Sequence, residues 1–353
     1  MKRNIIFILV GIILLCWSYM TVELLIPLPI DNKKNREIEI PKGATFRQVL
    51  EILSKERLTR DKTLFLFIGR ISGLDRKIRA GYYSIYGSMS PLDIFKMLKK
   101  GQIIEYEITV VEGDSLREIA EKLSEKGIIN KEGFMQLAAD KKFLSLYNVD
   151  APTFEGYLFP DTYKIPKGMN HVDAVGMMIN RMREKYSGEL RIRTSELRLS
   201  EREILTLASI IEKEAITDAE RPLISAVYHN RLRKGMPLQA DPTSIYGIKS
   251  FSEKITEKDL RRKTQYNTYV IKGLPPGPIA SPGIKSIIAA LYPAKVSYIY
   301  FVSNNDGTHS FSVTPEEHLS AVESYREKKQ MEKEIEIEDI EKTKKGIKVN
   351  GSS

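Results

Sequence analysis

Length, composition and charge limit the classes of protein to which this chain can belong. It has 353 residues, 29% of them charged, and a formal net charge of +9 at pH 7. That length is sufficient for two or three domains with a buried core. The basic excess is modest and spread along the chain, which suits an anionic partner such as a cell-wall polymer or a phospholipid. Because no recognised nucleic-acid-binding motif occurs, we expect no nucleic-acid partner.

Cysteine and histidine are too sparse for disulfide or metal chemistry. The single cysteine, Cys16, lies in the apolar N-terminal run, so the sequence has neither a disulfide framework nor a cysteine cluster for a metal. The histidines are scattered without the spacing of metal ligands, and we expect no metal and no other cofactor. They are His171, His229, His309 and His318.

The N-terminal segment predicts a transmembrane anchor over residues 5–27. Basic residues precede an uncharged run over residues 4–22, and with the apolar residues that follow, this run is long enough to span a bilayer. The basic start favours a cytoplasmic N-terminus (residues 1–4), a location in the cytoplasmic membrane and an exported remainder. A cleaved signal peptide would need small residues at a cleavage site, and none is evident. A lipoprotein would need a small residue before Cys16, where Leu15 stands.

An internal repeat follows the anchor, within a predicted module over residues 37–148. Residues 40–50 are echoed by residues 110–120, at an offset of about 70 residues, which is too long for a short-repeat solenoid. Each copy has the pattern of a strand, a Gly turn, a Thr or Ser cap and an amphipathic helix. Such β-α units resemble LysM-like modules, which bind glycans that contain N-acetylglucosamine. The alternative is a packing module that holds the next domain away from the membrane.

The segment 200–215 predicts an amphipathic helix that carries a candidate acid. Ser200 and Glu203 have the spacing of a capping box, and apolar residues recur at helical spacing along one broad face. Glu212 lies about 65° from the centre of that face, whereas Glu214 lies about 95° away and is the weaker candidate. Burial in a cleft raises the pKa of a carboxyl group, as a general acid at neutral pH requires. The alternative for Glu212 is a boundary residue in a surface ion pair.

The remaining sequence predicts a mixed α+β domain over residues 150–328. An aromatic-rich loop over 154–163 opens it, and a rigid Gly- and Pro-rich loop covers 273–283. The residues after 328 are nearly all charged and end in Gly-Ser, so 329–353 predicts a disordered tail. The predicted helices cover 90–100, 172–185, 200–216, the segment from the 217–220 cap to Arg233, 284–291 and 315–328, and the predicted strands cover 37–40, 81–86, 104–111, 296–302 and 310–313.

Several motifs stand in a fixed order along the chain. They occupy residues 154–163, 207–214, 241–243, 246–247, 266–269 and 273–277. With this set the sequence resembles the MltG (YceG-like) endolytic murein transglycosylase family from about Ile5 to Tyr325. In that family the glutamate that ends the Ala-Ser-Ile-x-Glu run is the catalytic acid, which corresponds to Glu212 here.

The resemblance implies an architecture and a reaction. The fold class is α+β, with an N-terminal transmembrane helix, a small LysM-like α/β module and a mixed α+β catalytic domain that carries its Glu on a helix. Such enzymes cleave the β-1,4 bond between N-acetylmuramic acid and N-acetylglucosamine without water, form 1,6-anhydro ends and terminate the elongation of nascent strands. The implied partners are peptidoglycan glycan strands, the cytoplasmic membrane and peptidoglycan synthases (penicillin-binding proteins).

Polar residues in two loops are candidates for positioning the substrate, and a structural hydrogen-bonding role is the alternative for each. They are Gln239, Asp241, Thr243, Tyr246, Tyr266 and Asn267. Two other functions stay open. One is a lysozyme-type hydrolase, in which Asp241, Asp218 or Asp161 would be the second carboxylate. The other is a membrane-anchored, non-enzymatic glycan-binding scaffold.

Overall fold

The structure, a computed structural model, describes residues 2–28, 35–73 and 78–331. The chain divides into two compact units. Unit 1 comprises Met1–Ile108 and Tyr163–Asn170, and unit 2 comprises Thr109–Thr162 and His171–Ser353. The predicted tail lies outside the described residues from 332 onward, whereas residues 329–331 are helical.

Unit 1 begins with a long apolar helix, α1 (Lys2–Leu25). Its span Asn4–Leu25 is long and apolar enough to cross a membrane, and most of its side chains from Asn4 onward are exposed. A helix that is apolar on all sides suits a lipid environment better than the surface of a water-soluble protein. This helix confirms the apolar N-terminal segment that the sequence predicts.

The first repeat copy is a β-α-α-β unit. It consists of β1 (Arg36–Ile40), α2 (Phe46–Lys55), α3 (Lys62–Ile71) and β2 (Gly81–Ile85), and α4 (Pro91–Lys100) follows it. Strands β1 and β2 pair antiparallel, with Arg36 opposite Ile85 and Ile40 opposite Gly81. Alternate strand residues such as Ile38 and Ile40 are buried, and with the apolar face of α2 they form one hydrophobic core.

The second repeat copy reproduces the strand, turn, cap and helix of the first copy and has one more helix before its second strand. It consists of β3 (Glu105–Val110), α5 (Leu116–Glu125), α6 (Lys131–Ala138), α7 (Lys141–Leu146) and β4 (Asp161–Pro166), in which β3 pairs with β4. Thr45 and Gln48 form a capping box at α2, and Ser115 and Glu118 form one at α5. The strand, turn, cap and helix that the sequence predicts for each copy are therefore confirmed.

Helix α10 is the central element of unit 2, and it packs on α9, α11, α12 and α14. All eight residues from Ile204 to Ile211 are buried, so neighbours surround the helix on more sides than the predicted single apolar face. The buried Ser209 hydroxyl donates to the Thr206 carbonyl at 2.7 Å, which satisfies one polar group inside the core. The helices of this part are α8 (His171–Lys185), α9 (Gly188–Glu196), α10 (Glu201–Glu214), α11 (Arg221–Arg233), α12 (Asp241–Ile245), α13 (Glu257–Leu260) and α14 (Ile284–Leu291).

A hairpin and a terminal helix complete unit 2. Strands β5 (Tyr300–Ser303) and β6 (His309–Ser312) pair antiparallel, as the turn at 304–307 predicts. A further helix begins at residue 315. The mixed α+β class is thus confirmed.

Several elements differ from the sequence prediction. The predicted cap at 217–220 gives α11 no side-chain cap hydrogen bond. Helix α10 ends at Glu214 rather than at residue 216, because Ala215 is extended. Strand β5 begins at Tyr300 rather than at residue 296. The sequence patterns did not predict α3, α6, α7, α9, α12, α13 and β4.

Candidate active site

Glu212 lies in the last turn of α10 and is held by two hydrogen bonds. Its Oε1 accepts from Nη1 of Arg221 at 2.9 Å, and its Oε2 accepts from the backbone N–H of Gly283 at 2.8 Å. The side chain is only 5% exposed. An ion pair is therefore present at Glu212, as the alternative interpretation predicted, but it is buried rather than at the surface.

Arg221 opens α11 and links Glu212 to neighbouring polar groups. Its guanidinium donates to Oδ1 of Asp218 at 3.1 Å and also to the Ser286 hydroxyl. Asp218 accepts from Lys285 as well, and its side chain is 56% exposed. Because the Arg221 side chain is only 9% exposed, its charge acts on Glu212 with little solvent screening.

Backbone hydrogen bonds fix the loops that meet at Glu212. The N–H of Gly113 donates to the Ser281 carbonyl at 2.8 Å, and the N–H of Ser281 donates to the Asp114 carbonyl at 2.7 Å. From the core side, Ser209 accepts from the N–H of Ile279 at 3.0 Å. The predicted rigid loop is thereby tied to α10 and to the turn before α5, which sets the position of the Gly283 N–H.

Lys213 faces the turn that precedes α5. Its Nζ donates to the Gly113 carbonyl at 3.4 Å and lies 4.2 Å from the centre of the Phe251 ring. Burial lowers the pKa of Lys213. Phe251 also lines a cleft of about 510 Å³ between the N-terminal part of α5 and the segment after Tyr246. Neither Glu212 nor Lys213 lines this cleft, and Phe251 is the lining residue that contacts Lys213.

A buried carboxyl group, that of Glu155, lies at the wall of this cleft. It accepts from the Leu116 N–H at 3.0 Å and from the Tyr246 hydroxyl at 2.9 Å, and the Tyr246 ring packs 4.6 Å from that of Tyr266. Burial raises the pKa of Glu155 to about 8. Glu155 thus connects the start of α5 to the two tyrosines that the sequence analysis singled out.

The other predicted positioning residues occupy two different environments. Thr243 and Asn267 are fully buried. Thr243 bonds to the Ala240 carbonyl and Thr268, and the Asn267 amide donates to carbonyls of the 259–262 segment. Both side chains are therefore engaged in holding the loops together.

Asp241 lies beside Glu214 rather than Glu212, and Gln239 is linked to the same cluster through Arg231. Gln239 accepts from Arg231 at 3.2 Å, and Asp241 accepts from the Tyr269 hydroxyl. Burial, followed by the charge of Asp241, raises the pKa of Glu214 to about 8, and Tyr228 donates to its carboxyl group at 3.3 Å. Glu214 is thus a buried group in a separate cluster on the same helix. Asp161, the other candidate second carboxylate, accepts from Arg181 at 2.7 Å.

Sequence reasoning missed Arg221 and Glu112. Glu112 lies against Gly283, because a Cβ placed on that glycine would be 1.9 Å from the Glu112 Oε1. The repeat contains a signal for it, since the equivalent turn residue in the first copy is Lys42. Because the turn of the first copy has a lysine at this position, the turn alone does not explain the glutamate in the second copy.

Replacing Gly156 by alanine is expected to destabilise the fold by about 3 kcal/mol, because the new Cβ adds both backbone strain and overpacking. Gly156 has φ +79°, and a Cβ there would be 2.4 Å from the Pro278 side chain. Gly247 is the matched control, since it has φ +73° but open space around it, and its alanine variant should lose only about 1 kcal/mol. Urea unfolding of both variants measures the difference, and equal losses would contradict a tight contact at Gly156.

The Glu155→Gln variant should be less sensitive to alkaline pH than the natural protein. The folded chain keeps the Glu155 proton up to a pKa of about 8, whereas the usual value is 4.5. Stability attributable to this group therefore falls as pH rises between those two values, and glutamine removes the effect. Relative to the natural protein, the variant should gain about 2–4 kcal/mol between pH 5 and pH 9. Melting curves at both pH values measure this, with Glu253→Gln as the exposed control; parallel pH dependences would contradict it.

Comparison with known proteins places these features in a family. A model of the YceG-like family matches residues 38–324. A Bacillus subtilis protein named endolytic murein transglycosylase is 31% identical over 318 residues, which are 86% of this chain and 88% of that protein. A Streptococcus pneumoniae protein of the same name is 28% identical over 84% of this chain and 59% of its own length. A solved structure of a yceG-like protein from Listeria monocytogenes has a TM-score of 0.57 and 30% identity, over 82% of this chain and 99% of that structure. The match over most of its length shows that this chain belongs to the YceG-like family.

Proposed function

We propose that this chain is a membrane-anchored endolytic lytic transglycosylase of peptidoglycan and that Glu212 is its catalytic residue. The reaction class is supported by the family and by the names of the relatives. The observation that carries the assignment to Glu212 is its buried carboxylate, which Arg221 and the Gly283 N–H hold at the end of α10.

One carboxyl group can perform both halves of the reaction. Protonated Glu212 donates its proton to the glycosidic oxygen as the bond from C1 of N-acetylmuramic acid to that oxygen breaks. Glu212, now a carboxylate, accepts the proton of the C6 hydroxyl as O6 attacks C1 and closes the 1,6-anhydro ring. The proton lost in the first half is regained in the second, so the enzyme is regenerated and no water is consumed.

Arg221 and Gly283 suit the second half of this cycle. A guanidinium and a backbone N–H on the two carboxylate oxygens stabilise the negative charge and fix its direction. The attacking hydroxyl belongs to the substrate and is already beside C1, which gives it a large effective concentration over bulk water. A second enzymatic carboxylate is therefore unnecessary.

A lysozyme-type hydrolase is less well supported by the same contacts. It would need a second carboxylate to activate water or to form a glycosyl intermediate. Asp218 is joined to Glu212 through Arg221 and is also bound by Lys285. Asp161 accepts from Arg181, and Asp241 lies in the Glu214 cluster. The contacts of these three aspartates therefore do not support a role as a nucleophile or a base at the scissile bond.

The glycan strand would follow the cleft beside α5 and pass Lys213 to reach Glu212. Tyr246, which lines this cleft, and Tyr266 are the proposed positioning residues in contact with sugar. Thr243 and Asn267 would support the loops, and Gln239 and Asp241 would act at a greater distance. The strand, turn, cap and helix that begin each repeat copy support a LysM-like module over 37–148, followed along the chain by a catalytic domain over 150–328.

Helix α1 supports membrane anchoring. We propose that it is a single-pass anchor in the cytoplasmic membrane, with residues 1–4 in the cytoplasm and the catalytic domain outside, because basic residues precede the apolar run. On that side the domain would meet peptidoglycan and peptidoglycan synthases, the proposed partners. Protease added to spheroplasts should digest the domain while cytoplasmic markers survive. A protected domain would reverse this orientation.

Digestion of purified sacculi tests the proposed activity. The full chain should release long glycan fragments early, because an endolytic enzyme cuts within strands, and the Glu212→Gln variant is the inactive control. Disaccharides as the early products would exclude endolytic cutting. No turnover with the natural chain would favour the glycan-binding scaffold.

A further inference from the structure

We propose that Glu112 is a positioning residue for Glu212. The negative charge of Glu112 offsets the positive charge of Arg221, so that Glu212 can hold the proton that the reaction transfers. This inference rests on the proposed function. It concerns the first half of the cycle, in which Glu212 donates a proton although the Arg221 guanidinium lies 2.9 Å from its Oε1.

The geometry places the two carboxyl groups on either side of Gly283. The backbone N–H of this glycine donates to Oε2 of Glu212 at 2.8 Å. Its Cα lies under the other carboxyl group, since an added Cβ would be 1.9 Å from Oε1 of Glu112. A residue with a side chain at position 283 would push Glu112 aside, so glycine permits this approach.

The turn that carries Glu112 is held in place by its backbone. Gly113 donates to the Ser281 carbonyl and Ser281 donates to the Asp114 carbonyl. A Cβ on Gly113 would lie 3.9 Å from Cγ of Glu212, so the turn itself lies close to the acid. The backbone of Glu112 is therefore held at a fixed position near Glu212.

The charges around the pair explain why Glu112 matters. Arg221 from α11 and Lys285 from α14 are cationic, Asp218 lies beside both, and Lys213 follows Glu212 on α10. Without Glu112 the cations would dominate. Glu112 is exposed overall, but partial desolvation of its carboxyl group, followed by the charge of Glu212, raises the pKa of Glu112, as expected of two neighbouring carboxyl groups.

The first repeat copy provides an internal comparison. Lys42 occupies the equivalent position, before Gly43, and Ala44 there donates to Pro41 as Asp114 donates to Val111. The same turn therefore forms with a lysine. The turn therefore does not require an acid at position 112, which supports a role for Glu112 in the site. Variants with another residue at this position are also expected to fold.

A pH–rate profile of the full chain on glycan strands tests the proposal. In Glu112→Gln, the alkaline limb, where the acid loses its proton, should move to lower pH by about 0.5–1 unit, because one nearby negative charge is gone. Glu112→Lys, which copies the first repeat, should move it further. Glu112→Asp keeps the negative charge, so its alkaline limb should stay close to that of the natural chain. Glu125→Gln, which removes an exposed charge from α5, should leave the profile unchanged.

The outcomes separate this inference from the proposed function. If the natural chain yields anhydro products and Glu112→Gln keeps the alkaline limb in place, Glu112 has no role in the protonation of Glu212. If Glu112→Gln lowers the rate equally at all pH values and the alkaline limb does not move, Glu112 has a structural role and the inference is wrong. If the natural chain yields no anhydro products, the proposed function itself fails.

Discussion

Replacing Glu212 by glutamine is expected to lower the rate on glycan strands by about 10²- to 10⁴-fold, the range for a positioned acid. Glutamine keeps the shape and can still accept from the Gly283 N–H, but it has no proton to deliver to the leaving oxygen. The loss of a buried charge-assisted hydrogen bond to Arg221 should cost about 2 kcal/mol of stability, which leaves the fold intact. Turnover and melting curves measured together separate the two effects.

Glu214 is the matched control for this variant. It lies two residues further along α10 and is also buried, but its contacts are with Tyr228 and the Asp241 region. Glu214→Gln should retain the rate to within about tenfold, since it would not touch the reacting atoms. A loss at Glu214 equal to or larger than that at Glu212 would contradict the assignment of the acid.

Replacing Arg221 by glutamine should cost about 3–5 kcal/mol of stability, because it leaves the buried Glu212 carboxylate without its cation. Asp218→Asn is the control, since it removes a partner of Arg221 that is 56% exposed, and such a pair contributes only about 0–1 kcal/mol. Urea unfolding of each variant provides the comparison.

A double-mutant cycle completes the test of Arg221. Once Glu212→Gln has removed the charge, Arg221→Gln should cost much less, with a coupling energy of about 1–3 kcal/mol. Additive losses would indicate that Arg221 stabilises the protein through Ser286 and packing rather than through Glu212.

The sequence predicted the elements whose signals are local. The capping boxes at Thr45, Ser115 and Ser200 depend on residues three positions away. Helix α14 has the predicted bounds because its apolar run lies between Gly283 and Tyr292. The end of α10 was harder to predict, since Ala215 and the residue after it continue the apolar pattern.

The site depends on contacts that no local pattern records. Hydrogen bonds join Ser209 to Ile279, Glu155 to Tyr246 and Glu212 to Gly283, and the partners in each pair are at least 70 residues apart in sequence. Helical periodicity places Glu212 on an inner face but cannot identify its partners. Glu112 could have been suspected only from the charge difference with Lys42.

The chemical form of the new chain end tests the central claim most directly. Mass spectrometry of unreduced glycan strands, digested by the full chain, should find muramic residues with a 1,6-anhydro ring, which are lighter by one water than the hydrolysed sugar. Glu212→Gln should abolish these ends while Glu214→Gln retains them. Muramic acid with a free reducing end as the main product would contradict the account and replace it with two-carboxylate hydrolysis.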